Sequence, residues 1–207
     1  MTERAARYLY LARHGEALPD ESGLSERGRR QAVLLGRRLA GRPLSVVHHG
    51  PLPRAAQTAR LVCEQLDGVP ARVSEVAGDY VPYVPSRAEL PSDCADFLLA
   101  FLAQATAEER ARGPRLAARA VERFAGPVAG GEERHELLVT HNFLIGWLVR
   151  HALDAPSWRW LGLNHGNASL TVIRWTPGRP ATLLAHDDMS HLPVELRQSG
   201  FPAESRL

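Results

Sequence analysis

Apolar positions gather in short runs that stop abruptly at charged or turn-forming residues. Tyr8 to Ala12 is a brief apolar, aromatic-containing run halted by Arg13-His14-Gly15, as in a buried strand opening into a loop. Leu44 to His48 repeats the pattern and runs into Gly50-Pro51-Leu52-Pro53-Arg54, where the prolines end the strand and a helix can begin. Between these runs Ser25 suits an N-cap, and Gly28, Ala32, Leu35 and Leu39 recur at helical spacing until Gly41. A second helix is expected after Arg54, with Ala55, Ala59, Val62, Cys63 and Leu66 on its apolar stripe, followed by a third strand over Ala71 to Val76. Glu136 to Thr140 is a fourth strand candidate that ends at His141 and leads into a helix over Phe143 to Leu153. Ser169 to Trp175 and Ala181 to Ala185 are expected as a closing pair of strands around Pro177-Gly178. Strands alternating with helices imply a mostly parallel sheet covered on both faces.

The interval between the third and fourth strands has a different texture. Pro82, Pro85 and Pro91 make residues 78–91 a loop, since neither a helix nor a central strand tolerates them. Ser92 is expected to cap a helix through Gln104, and Thr106 with Glu109 fits the capping box of another, interrupted at Gly113-Pro114. Residues 92–125 are therefore expected as a helical insertion beside the sheet. A length of 207 residues suits one domain spanning 1–207.

With 44% hydrophobic and 23% charged residues, a disordered or fibrous chain is excluded. Twenty-five basic residues against 23 acidic ones leave a net charge of +2, no field for gripping a nucleic-acid backbone, so no nucleic-acid partner is expected. Every basic residue is arginine, which removes lysine Schiff-base and P-loop lysine chemistry. Cys63 and Cys94 are too few for a disulfide scaffold. The first residues lack the apolar core of a signal peptide, and no run approaches a membrane span. The expected setting is cytoplasmic, with no membrane contact. The Ser169 to Trp175 strand is read as exposed, which leaves a homodimer open.

Three strand ends carry the candidate chemistry: Arg13-His14-Gly15-Glu16, His49 to Arg54, and His141-Asn142. In open parallel sheets ligands collect outside the carboxyl ends of the strands. The planar fork of arginine matches phosphate oxygens, and a neutral imidazole keeps a lone pair able to attack phosphorus. Fixed cations counter the charge of a transferring phosphoryl group, so neither a metal nor a cofactor is required. A zinc hydrolase is the rival, but HExxH and Cys-x-x-Cys are missing from the sequence, and the adjacent His48 and His49 cannot share helical ligand spacing. His165 and His191 are read as structural.

LARHGEA (residues 11–17) resembles the RHG signature of the histidine phosphatase superfamily, the phosphoglycerate-mutase-like proteins. GLSERGRRQA (23–32), PLPRAAQTA (51–59) and VTHN (139–142) are similar to that family's further motifs, in the same order. The resemblance implies a three-layer α/β sandwich and a metal-independent phosphomonoester hydrolase acting on a phosphorylated small molecule or a phosphoprotein. It implies His14 as the phosphohistidine nucleophile, with Arg13, Arg54, His141 and Asn142 around the phosphoryl group. A non-catalytic phosphate-ester binding or scaffold protein is the alternative. Residues 79–85, 141–153 and 163–173 are most similar to the branch containing a mitochondrial serine/threonine phosphatase. Mutases continue the first motif with a Trp-Asn pair, which Ala17-Leu18-Pro19-Asp20 lacks. Gly50 stands where many relatives have serine. The proton donor is either Asp79 or Glu75. Aligning Pro82 and Pro85 with that branch favours Asp79, while Glu16, His49 and Glu75 are candidates for supporting positions.

Overall fold

The computed structural model describes residues 3–197 and 199–201. In chain order the elements are β1 (Arg4–Ala5), β2 (Arg7–Arg13), α1 (Glu26–Leu39), β3 (Leu44–His49), α2 (Pro53–Cys63), β4 (Ala71–Val73) and α3 (Ala95–Leu102). Then come α4 (Ala107–Phe124), β5 (Val128–Ala129), β6 (Arg134–Thr140), α5 (Asn142–Ala152), β7 (Leu170–Trp175) and β8 (Thr182–Asp188). Six strands form one sheet in the order β4-β3-β6-β2-β7-β8, and β1 pairs with β5 in a separate ribbon. The first four are mutually parallel, whereas β7 runs antiparallel to both β2 and the edge strand β8. The fold is α/β, a mostly parallel sheet between helical layers.

Strand alternation decides which helix covers which face. Tyr10 and Ala12 of β2, Val47 of β3, and Leu137 and Val139 of β6 pack under Leu35 and Leu39 of α1 and Ala55, Ala59 and Val62 of α2. Leu9, Leu11 and Leu138 point the other way, against Leu116, Ala120 and Phe124 of α4 and Leu144, Ile145 and Leu148 of α5. Thus α4 forms part of the second helical layer, and Leu102 of α3 joins the same core.

Local sequence explains most element boundaries. Ser25 caps α1 by accepting from the Gly28 amide, and Thr106 with Glu109 forms the expected capping box on α4. The third strand is shorter than expected: β4 ends at Val73, and Glu75–Ala77 is a 3-10 turn. It lies at the sheet edge with all three residues exposed, so no burial alternation extends it. Cys94, not Ser92, precedes α3, which ends at Leu102. α4 runs unbroken through Gly113-Pro114. There the carbonyl of Val81 lies 1.9 Å from where a Cβ on Gly113 would sit, so glycine admits the proline-rich loop against the helix. Its packed face holds α4 together across the proline, whose missing N–H and ring clash cost about 3 kcal/mol. Finally, β7 is buried and paired on both sides; the edge strand is β8, with Leu184 exposed.

Candidate functional site

Strand register sets the site. Arg13 of β2 pairs with Thr140 of β6, and His49 of β3 with Val139. The His14 amide continues the ladder to Thr140 O at 3.0 Å, and Gly50 N to Val139 O at 3.1 Å. Three carboxyl ends therefore finish level, with the His14 and His141 rings 5.0 Å apart between centroids.

His14 is buried and its Nδ1 lies 2.8 Å from Gly15 O. A carbonyl only accepts, so Nδ1 carries the proton and Nε2 keeps its lone pair. Burial first, then His141, Arg13 and Arg54, push its pKa down to about 3 against the bond to Gly15, so the ring is neutral at pH 7. Burial followed by Arg54 and Arg13 brings His141 to about 3 as well.

Arg54 occupies the first turn of α2, behind Pro53, in a helix whose Leu52 cap gives no side-chain bond. A cation there opposes the helix dipole, and unsatisfied N–H groups at that end favour an anion. Its Nη2 donates to Asp79 Oδ2 at 2.8 Å and its Nη1 to Glu21 Oε2 at 3.1 Å. Asp79 Oδ2 also lies 3.4 Å from His141 Nδ1. Arg13 is tied to the backbone instead: Nη1 donates to His165 O at 2.7 Å and Gly200 O at 3.0 Å. Burial lowers the pKa of Arg13, opposed by Asp79 and Asp187.

Arg13, His14, Arg54, Asp79 and His141 thus converge. Four other sequence candidates stand apart. The Asn142 carboxamide is engaged by the loop before β7, accepting from His165 N at 2.8 Å and donating to Asn164 Oδ1 at 3.3 Å. Glu16 accepts from Ser25 Oγ at 2.8 Å and lies 3.6 Å from Arg27. His49 donates from Nδ1 to Gly50 O, the same geometry as His14 with Gly15, one strand over. Glu75 is exposed and lines a separate cleft with Arg119 and Glu122.

Sequence reasoning gave no role to Glu21, Asn167 or the 199–200 segment. Asn167 Nδ2 donates to His14 O at 3.0 Å, and Ala168 N to Arg13 O at 3.0 Å, with Ala168 at φ 55°. The signal was LNHGNAS, seen as a likeness but not resolved into contacts. Glu21, with φ 58°, sits in a turn string whose composition carries no chemical cue. At Gly50 a Cβ would stand 2.4 Å from Ala77 O and 3.2 Å from His141 Nε2. The serine of many relatives therefore has no room here. Among the described residues no group of three or more His, Cys, Asp or Glu is placed to hold a metal ion. Among them also, no helix is long and apolar enough to cross a membrane.

The chain is 30% identical to the serine/threonine-protein phosphatase Pgam5, mitochondrial, of Caenorhabditis briggsae, over 91% of this chain and 65% of that protein. It is 28% identical to the Drosophila melanogaster protein of the same name, over 97% of this chain and 70% of the relative. It therefore spans about two thirds of their length. Among solved structures, mycobacterial glucosyl-3-phosphoglycerate phosphatase matches with a TM-score of 0.61 at 25% identity, over 88% of this chain and 99% of that one. Plasmodium falciparum phosphoglycerate mutase shares the fold, with a TM-score of 0.61 at 19% identity, over 92% and 96%. The cytoplasmic expectation is overturned by the mitochondrial naming of these relatives. Its grounds, few cysteines and no secretory core, bear on secretion and do not distinguish one internal compartment from another. A model of the histidine phosphatase superfamily (branch 1) matches residues 9–188, and the chain belongs to that superfamily of phosphatases.

Proposed function

We propose that this chain is a phosphomonoester hydrolase that works through a phosphohistidine at Nε2 of His14, without a metal. The observation that carries the reading is the protonation state of His14: Nδ1 is committed to Gly15 O, and the neutral ring leaves Nε2 as a nucleophile needing no separate base. Phosphate oxygens replace the two carboxylates on the Arg54 fork, and Arg13 and His141 complete the clamp on the charge that develops during transfer. Nε2 attacks phosphorus, the bond to the leaving oxygen breaks, and Asp79 gives that oxygen its proton. Asp79 then takes a proton from water as the water attacks phosphorus, and the P–N bond returns its electron pair to Nε2. The substrate class is a phosphorylated protein side chain or small molecule, by analogy with relatives named serine/threonine-protein phosphatases.

Acid-labile, base-stable label from a phosphomonoester should be trapped on wild type and lost in His14→Ala, together with turnover. Turnover in His14→Ala within about tenfold of wild type overturns the nucleophile. Activity lost in EDTA and restored by zinc or magnesium overturns the metal-free clamp.

A further inference from the structure

At the amino-terminal end of the sheet, far from the strand ends just described, a cleft of about 370 Å³ opens on the α4 face. Arg7, Arg72, Arg123 and Arg134 line it, with Glu136 as the one carboxylate on its walls. Four guanidiniums against one carboxylate give those walls a formal +3, more than the +2 of the whole chain. Glu136 is already shared between Arg7 at 3.5 Å and His48 at 3.6 Å. Arg72, Arg123 and Arg134 make no ion pair among the described residues. Buried His48 presents an Nδ1 with no hydrogen-bond partner.

The register makes the crowding structural. Arg7 of β2 lies directly opposite Arg134 of β6, and His48 of β3 opposite Arg72 of β4. Like charges facing across a ladder, as Arg7 and Arg134 do, are destabilising, and Glu136 is the one carboxylate on these walls to offset them. Burial, then Arg134 and Arg123, pull Arg7 below the usual arginine range, with only Glu136 opposing. A site of this kind is completed by a multiply charged oxyanion whose oxygens take the free guanidinium forks. The volume falls at the small end of the ligand-pocket range, which suits a small anion better than a polymer.

We propose that this cleft is a second anion site, distinct from the His14 pocket, that binds a small phosphate-bearing polyanion such as a diphosphate. Arg7 and His14 are seven positions apart along β2, so the two sites stand roughly 20 Å or more apart and load independently.

The test is equilibrium dialysis with methylenediphosphonate, a diphosphate that resists hydrolysis, with citrate as the carboxylate control. Arg54→Ala weakens the His14 pocket, and in that protein one equivalent of methylenediphosphonate should still bind. Adding Arg72→Ser and Arg123→Ser, both at exposed positions, should weaken that binding by about tenfold or more. In an otherwise wild-type chain the same pair should leave phosphomonoester turnover unchanged. No saturable binding to Arg54→Ala, or the same affinity after the two serine substitutions, overturns the site. Citrate bound as tightly as methylenediphosphonate overturns its assignment to phosphate.

Discussion

Replacing Gly50 by alanine should damage turnover out of proportion to the single methyl group it adds. The new Cβ would stand 2.4 Å from Ala77 O, where real Cβ contacts stay beyond 3.0 Å, so the backbone at Ala77 must retreat by at least about 0.6 Å. That carbonyl is not free to move, because it accepts the buried Thr140 hydroxyl at 2.7 Å. Overpacking of this kind costs about 1–3 kcal/mol, and losing the hydroxyl bond adds about 1 kcal/mol. Asp79 lies two residues beyond Ala77 and is held by Arg54 at 2.8 Å, so the same retreat displaces the proposed proton donor. A misplacement near 1 Å can cost roughly a hundredfold in rate. Steady-state kinetics on an alkyl phosphate should show kcat down about ten- to a hundredfold with KM changed much less. Urea unfolding should show stability lower by about 2–4 kcal/mol. Gly50→Ser, the residue of many relatives, should do no better. If Gly50→Ala keeps both stability and turnover within about twofold of wild type, the close approach to Ala77 does not constrain the site.

Three further outcomes are expected. Asp79→Asn should lower turnover of an alkyl phosphate about 10²- to 10⁴-fold, with p-nitrophenyl phosphate suffering less, while Glu75→Gln stays near wild type; the reverse ranking would transfer the proton donor to Glu75. Glu21→Ala should tighten inhibition by inorganic phosphate about two- to fivefold, since it removes an exposed competitor from Arg54 whose contact is worth at most about 1 kcal/mol; unchanged inhibition would mean that Glu21 does not compete there. Stability should fall as pH drops from about 6.5 toward 3. His14, His141 and His165 all lie at about 3 in the folded chain, so in that window the unfolded chain binds protons that the folded one refuses. The slope is up to about 1.4 kcal/mol per pH unit for each ring, and urea midpoints that stay flat from pH 7 to 5 would contradict it.

The strand ends were legible because burial writes them plainly. A parallel strand covered on both faces must be apolar, so the first polar residues after Ala12 and Thr140 mark where the chain leaves the sheet and where ligands meet it. The third strand was overextended because Ala71 to Val76 lies at an edge, where burial imposes no pattern and only three residues find pairing partners. Gly113-Pro114 misled for the opposite reason: local propensity argues for a break, and tertiary packing of Leu116, Ala117 and Ala120 overrides it. Glu21 was invisible because it reaches Arg54 from 33 positions away, through a turn with no periodicity. Asn142 was misplaced by adjacency, since one residue past His141 the chain has entered a helix and its side chain points at the loop before β7.

The two arginines of the site are satisfied in different ways, and in the proposed reaction the difference orders events there. Arg13 donates to two backbone carbonyls and is fixed whether or not an anion is present. Arg54 donates to two side-chain carboxylates, Glu21 at 70% side-chain exposure and Asp79 at 39%, each able to swing away without unfolding anything. A phosphate dianion competes on better terms than either, because it offers several oxygens to one fork and meets Arg13 and the neutral His141 at the same time. In the proposed reaction its arrival therefore frees Asp79 from the guanidinium to turn toward the leaving oxygen. In the proposed mechanism, substrate binding and release of the proton donor are then one event, because a single arginine holds first the acid and then the phosphate.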